Sequence, residues 1–256
     1  MKIIKLSMLI LFLLSVVQFS EAADESKTKE EKRFSNETNF ALVNTTGNSE
    51  AFTVAGKNDM KYKFTDKWTG SWVLGALYGK SDGDKNAERY FTDLRADYSI
   101  SDRWYAYGLG TWLRDEFAGF DNRIGIGPGV GYKFLIGPKH FLLGEAGLNY
   151  AYEDYSDSDE DTRRFLEGRL FGKYEWAFTE KTRFTQGLEY LQSLKNSNTR
   201  KLNSETALVT AITDIIALKI SYSIFYNNDP RPSDLDETDT ILATSLVVTC
   251  CTKSKA

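Results

Sequence analysis

The stretch RIGIGPGVGYKF, residues 123–134, carries glycine at 125, 127, 129 and 131, with Ile124, Ile126, Pro128, Val130, Tyr132 and Phe134 on the intervening positions. A phosphate-binding turn needs G-x-G-x-x-G opening a helix, whereas the spacing here is G-x-G-x-G-x-G and no helical pattern follows. A strict period of two is instead the signature of a strand whose neighbouring residues point to opposite faces. One face carries large apolar side chains and the other is bare backbone.

The same period recurs along the chain. In 52–64, Phe52, Val54, Met60, Tyr62 and Phe64 alternate with Lys57, Asp59, Lys61 and Lys63. In 88–100, Tyr90, Leu94, Ala96, Tyr98 and Ile100 alternate with Arg89, Asp93, Arg95 and Asp97. Leu166, Leu170, Tyr174, Trp176 and Phe178 alternate with Arg163, Glu167, Arg169, Lys173 and Glu175, and Ile216, Leu218, Ile220, Tyr222, Ile224 and Tyr226 share one face. These are strand patterns.

Two kinds of break separate them. Short ones, centred on residues 66, 102, 138, 180 and 214, recur at intervals of 36, 36, 42 and 34, and three of them resemble one another: TDKW, SDRW and TEKT. Between these lie polar, acidic breaks read as longer loops at 44–50, 80–86, 114–122, 153–161, 193–203 and 227–239. The unit is therefore a hairpin of about 36 residues repeated six times, which makes twelve strands. An even number of long alternating strands, with short turns at one end and longer loops at the other, describes an outer-membrane barrel. A soluble two-sheet sandwich would use shorter strands and gives no reason for the turns to alternate. The fold expected is all-β: a 12-stranded antiparallel transmembrane β-barrel of the outer-membrane type.

The ends fit that reading. MKIIKLSMLILFLLSVVQFSEA (1–22) has Lys2 and Lys5, an apolar run from Leu6 to Val17, and small residues at Ser20 and Ala22, as a secretory signal peptide does. ADESKTKEEKR (23–33) reads as a charged periplasmic linker, 34–250 as the barrel and 251–256 as a polar tail. No later run of 18 apolar residues is present, so membrane crossing by helices is excluded. The only cysteines, Cys250 and Cys251, are adjacent and make no disulfide framework. A net charge of −4 over 256 residues gives no basic surface for nucleic acid.

The period places residues. Facing the lumen are Lys57, Asp59, Lys61, Lys63, Arg89, Asp93, Arg95, Asp97, Arg123, Lys133, Glu145, Glu153, Arg163, Glu167, Arg169, Lys173, Glu175, Arg183, Glu189, Glu205 and Lys219, with Gly125, Gly127, Gly129 and Gly131. The charges number 12 basic and 9 acidic, a balance suited to pairing across the interior rather than to strong selection for one sign of solute. The glycine track leaves space for bulky side chains from other strands, and Pro128, lacking an N–H, predicts a local bulge. Trp68, Trp72, Tyr78, Tyr98, Trp104, Tyr132, Tyr174 and Trp176 are the candidate interface aromatics.

The segments TGNSEAFTVAGK (46–57), RIGIGPGVGYKF (123–134), GEAGLNYAYEDY (144–155) and RFTQGLEYLQSL (183–194) resemble, in this order, the domain-of-unknown-function family 481, the YdiY-like salt-induced outer-membrane proteins of Gram-negative bacteria. The resemblance covers roughly residues 34–250. It implies export to the outer membrane, contact with its lipids and lipopolysaccharide, and delivery by the barrel insertion machinery; it carries no catalytic residues and no cofactor. Outer-membrane barrels of this kind commonly end on an aromatic residue, whereas the last strand here, TILATSLVVTC (240–250), is followed by CTKSKA.

A lipid hydrolase would place a histidine near the outer loops, but the single histidine, His140, follows a short turn at the opposite end. Asp157-Ser158-Asp159-Glu160-Asp161 opens like a calcium loop, yet Thr162 stands at the sixth position and Gly168 at the twelfth. The sequence therefore predicts no enzyme, and a narrow channel-like or structural envelope protein, with salt response implied by the resemblance alone. The alternative is a surface protein that binds a partner, divalent cations or lipopolysaccharide through its acidic loops, including Asn228-Asp229-Pro230-Arg231-Pro232-Ser233.

Overall fold

A computed structural model describes residues 33–45, 51–156, 162–231, 233 and 235–252. The signal peptide expected at 1–22, most of the linker, the acidic run 157–161 and the end of the tail lie outside the described residues.

Twelve strands form one closed antiparallel barrel in which each pairs with its sequence neighbours and the first with the last. They are β1 (Phe34–Thr45), β2 (Ala51–Lys63), β3 (Trp68–Ser81), β4 (Asp84–Ser99), β5 (Trp104–Asp115), β6 (Phe120–Ile136), β7 (His140–Tyr155), β8 (Arg163–Ala177), β9 (Thr182–Ser193), β10 (Arg200–Thr213), β11 (Ile216–Asn227) and β12 (Thr238–Thr252). Closure leaves no free edge around most of the ring, as a bilayer requires. β12 runs two residues past the expected end of the barrel, because Thr252 pairs with Phe34 and Cys251 with Ser35.

The short turns share a chemical device. Thr65 Oγ1 accepts from the Lys67 and Trp68 amides, Ser101 Oγ from the Trp104 amide, and Thr179 Oγ1 from the Lys181 and Thr182 amides. Each hydroxyl satisfies an amide that the tight reversal would leave open. The recurrent T/S-D/E-K/R pattern is thus a turn written three times.

The outer connections are not all long. The break expected at 80–86 is a two-residue turn, Asp82-Gly83, with φ of 52° and 90°. Asp-Gly suits the hairpin geometry that matches strand twist, so β3 and β4 continue through residues whose polarity reflects water beyond the membrane. Likewise 114–122 shortens to a connection at 116–119. Pro128 makes no bulge: the β6–β7 register is the same at Ile126↔Tyr150 and Gly129↔Gly147, and the shifts fall at Phe120/Asn122 and Lys133/Leu135. The ring of Pro128 sits on the lipid face opposite Gly108, and the ladder is interrupted there without adding a residue.

The outer wall carries Leu94, Ile126, Leu148, Leu170 and Ile220, all exposed from the protein side. At the short-turn rim Trp68 meets Tyr98 at 5.0 Å, Trp104 meets Tyr132 at 4.8 Å, and Trp176 meets Phe178 at 4.1 Å. His140 stacks on Trp176 and shares a 2.9 Å hydrogen bond with the Tyr174 hydroxyl. This is an interfacial belt. Trp72 does not belong to it. Four residues along β3 from Trp68, it lies roughly 13 Å farther up the strand, and its indole N–H donates to Thr92 Oγ1 at 2.8 Å, so it needs no water. Tyr78 stands toward the opposite end of β3, with the Lys80 ammonium 5.8 Å from its ring centre.

Candidate functional site

The interior is built from the odd-numbered residues of the strands, and it divides into a packed wall and an open cavity. From β4 to β10 the wall carries two clusters of ion pairs. In the first, Glu145 Oε1 accepts from Arg95 Nη2 at 2.7 Å and from the Tyr105 hydroxyl at 2.7 Å, while its Oε2 accepts from Arg169 Nη1 at 2.8 Å. Arg95 also holds Asp97, and Arg169 reaches Glu189 at 2.7 Å and the Tyr107 hydroxyl at 2.8 Å. In the second, nearer the long-loop end, Glu153 is fully buried between Arg123 at 3.0 Å, Lys201 and the Tyr155 hydroxyl at 2.8 Å. Arg123 also pairs with Glu167 at 2.9 Å. Phe120, Tyr155 and Phe165 pack around this cluster and exclude water from it. Removing one partner from such a buried pair strands a charge at a cost of about 3–5 kcal/mol.

The glycines of 123–134 make room for the first cluster. Gly129 and Gly131 pair with Tyr107 and Tyr105 across β5–β6. A Cβ at Gly129 would lie 2.2 Å from the Tyr107 ring, and one at Gly131 would lie 2.1 Å from the Tyr105 ring. The rings therefore lie flat on bare backbone, with their hydroxyls aimed at Arg169 and Glu145. Gly127 permits a close approach of β7, since a Cβ there would meet the Leu148 carbonyl at 1.9 Å, and Gly125 sits beside the Thr111 hydroxyl.

The cavity, about 600 Å³, is lined from all twelve strands. Lys57, Arg89, Asp93, Glu205 and Lys219 line it, together with the inner flanks of Arg95, Arg123, Glu167, Arg169 and Glu189. Lys219 pairs with Glu205 at 2.8 Å, and Arg89 with Asp115 at 3.3 Å beneath the Phe225 ring. The remaining residues expected in the lumen spread toward the short-turn rim. Lys173 pairs with Glu175, Arg183 with Glu37 and Lys63 with the turn residue Asp66. The Lys133 ammonium lies 5.9 Å from the Tyr105 ring centre, and Asp59 and Lys61 share the inward face of β2 outside both clusters. Among the described residues no group of three or more His, Cys, Asp or Glu side chains converges as metal ligands would.

The sequence pattern missed Tyr105, Tyr107 and Lys201. Lys201 fell in a stretch read as loop, and the tyrosines were hidden by their apolar character. Their signal was the partner strand, since G-x-G opposite Y-x-Y is a steric match.

Residues 228–231 leave β11 and reach across the ring to the β5–β6 turn, where a Cβ at Gly119 would lie 1.8 Å from the Arg231 carbonyl oxygen. Gly119 has φ of 79°, a conformation that L side chains rarely adopt. The loop is latched by Asp229, whose Oδ2 accepts from Arg163 Nη1 and from Thr199 Oγ1, both at 2.8 Å, with Arg231 at 3.3 Å from Oδ1. Burial pushes the Asp229 carboxyl up, but the hydrogen bonds from Arg163 and Thr199 outweigh it and hold the group below the usual carboxylate range. Arg163, expected in the lumen, thus stands at the mouth as half of a latch.

Comparison with known proteins adds kinship. Over 213 residues the chain is 29% identical to a protein of Escherichia coli (strain K12), "Uncharacterized protein YdiY", covering 81% of this chain and 80% of that protein. Among solved structures it is similar to the translocator domain of the autotransporter NalP from Neisseria meningitidis, with a TM-score of 0.49, 12% identity, and coverage of 88% of this chain and 89% of that one. It is also similar to the NanC porin, with a TM-score of 0.48, 10% identity, and coverage of 84% and 97%. The family described as "Protein of unknown function, DUF481" matches residues 38–250, and the chain belongs to it.

Proposed function

We propose that this protein is a non-enzymatic barrel of the Gram-negative outer membrane whose resting state conducts little, and whose outer lid loosens as ionic strength rises. The observation that carries this reading is the pairing of the interior: the Arg95–Glu145–Arg169 and Arg123–Glu153–Lys201 clusters fill one side of the lumen, and the Asp229 latch closes the mouth above them. The barrel and its apolar belt suit an outer-membrane protein, inserted by the usual machinery among phospholipid and lipopolysaccharide. Salt acts selectively on such an arrangement. Arg163 and Asp229 keep 25% and 22% of their side-chain surface exposed, so mobile ions screen the latch, whereas Glu153 at 1% and Glu145 at 2% are sheltered.

Planar-bilayer recording of refolded protein tests this. Small, flickering steps at 0.1 M KCl whose open fraction grows with KCl, beyond the rise in bulk conductivity, are the expected result. Large steady steps at every salt concentration overturn it.

A further inference from the structure

The β1–β12 closure is incomplete. These two strands pair from Phe34↔Thr252 to Phe40↔Leu246, and there the ladder stops. β1 continues to Thr45 and is paired with β2 throughout, while β12 above Leu246 is paired with β11. Among the described residues, 41–45 of β1 and 241–245 of β12 therefore face each other across the seam without ladder partners. The gap lies in the half of the barrel nearer the long loops. Just below it the seam is tight, where Val247, Ala217 and Val209 form a buried apolar cluster.

The interior cavity lies against this gap. Its lining includes Phe40 and Ala41 from one edge and Ile241, Ala243 and Ser245 from the other. Leu242, on the lipid side of the same gap, is 73% exposed. Unpaired strand edges facing hydrocarbon cost several kcal/mol per polar group, so the gap is either occupied or transiently closed. Asp229 and Arg231 lie over part of the mouth above.

We propose that this seam is a lateral portal, and that the cavity takes a single-chain fatty acid from the adjoining leaflet. The chain fits the apolar edge residues, and a volume of about 600 Å³ falls within the roughly 300–1,000 Å³ of small-molecule sites. The carboxylate has partners at the foot of the gap. Lys57 pairs in register with Asn39 of β1, and Lys219 with Ser245 of β12, so the two ammonium groups flank the seam from either side. Lys219 is engaged by Glu205 at 2.8 Å, whereas Lys57 lies within electrostatic reach of Glu205 and Asp93 without a direct ion pair to either. Lys57 is the head-group anchor. This inference stands apart from the proposed conductance, since a silent barrel can still bind laterally.

The test uses full-length protein in nanodiscs, with Cys250 and Cys251 changed to Ser. Val43→Cys/Ala243→Cys places a disulfide across the open gap, and Thr38→Cys/Val248→Cys does so across the paired part as a control. The probe is cis-parinaric acid, displaced by palmitate. Oxidation of the gap pair is expected to slow probe uptake at least tenfold and reduction to restore it, while oxidation of the control pair leaves uptake unchanged. Lys57→Gln is expected to weaken palmitate about tenfold and leave hexadecanol unaffected. Uptake indifferent to the gap disulfide overturns the portal, and equal losses for palmitate and hexadecanol overturn the head-group assignment. Hydrogen exchange on the unmodified chain gives an independent check: in the amides of β1 directed at β12, protection within 41–45 equal to that within 34–40 would mean a closed seam and end the proposal.

Discussion

Glycine at a single position decides whether this interior can form. In the 123–134 stretch the alternation was legible as a strand with a bare inward face, but what fills that face was not, because Tyr105 and Tyr107 lie on another strand and look like ordinary apolar residues. Space at Gly129 is taken by the Tyr107 ring, whose hydroxyl accepts from Arg169 Nη1. Gly129→Val therefore has to push the ring off the backbone and loosen the Arg169–Tyr107 contact, an overpacking penalty of about 1–3 kcal/mol. Gly56→Val is the matched control, since a Cβ there meets nothing within 4 Å. Urea unfolding of the refolded barrels, followed by tryptophan fluorescence, is expected to show a lower midpoint for the first and an unchanged or higher midpoint for the second.

Among elements, the hairpins and their short turns were readable because hydroxyl-capped turns repeat in the sequence. The long-loop side was read less well, since polar residues mark both a loop and a strand emerging into water. The lid was invisible for a different reason. Its latch joins Asp229 to Arg163 and Thr199, contacts between elements that no local pattern encodes. The carboxyl is held below its ordinary range in the folded protein, so the latch contributes stability above the unfolded-state pKa and loses it as pH falls through the lower folded value. Channel recordings at constant salt are expected to show the open fraction rising only below the ordinary carboxylate range. Asp229→Asn should show the raised open fraction already at pH 7 and lose the acid response. An unchanged pH profile in that variant would assign the response to other carboxylates.

At the scale of the whole barrel, near balance of lumen charge was apparent from the sequence, but the grouping of Arg95, Glu145 and Arg169, and of Arg123, Glu153 and Lys201, into two clusters was not, because it depends on which strands face each other after closure. The arrangement makes opening and selectivity separable from the lid. Arg169 belongs to the central cluster and also lines the cavity, with the Tyr107 hydroxyl against it, so Arg169→Ala/Tyr107→Ala removes bulk beside the cavity. It also deletes the cation that bridges Glu145 and Glu189. Arg95 remains as the cation shared by Glu145 and Asp97, whereas Glu189 keeps the amide of Asn203 at 2.9 Å and loses its direct ion pair. The widened passage therefore gains a net negative wall. In a KCl gradient the double variant is expected to conduct severalfold more than the parent, with its reversal potential displaced toward potassium. The Tyr107→Phe variant, which keeps both the ring and the arginine, should conduct as the parent does. A large conductance without the potassium shift would mean that bulk alone had been removed and that the ion pairs do not set selectivity.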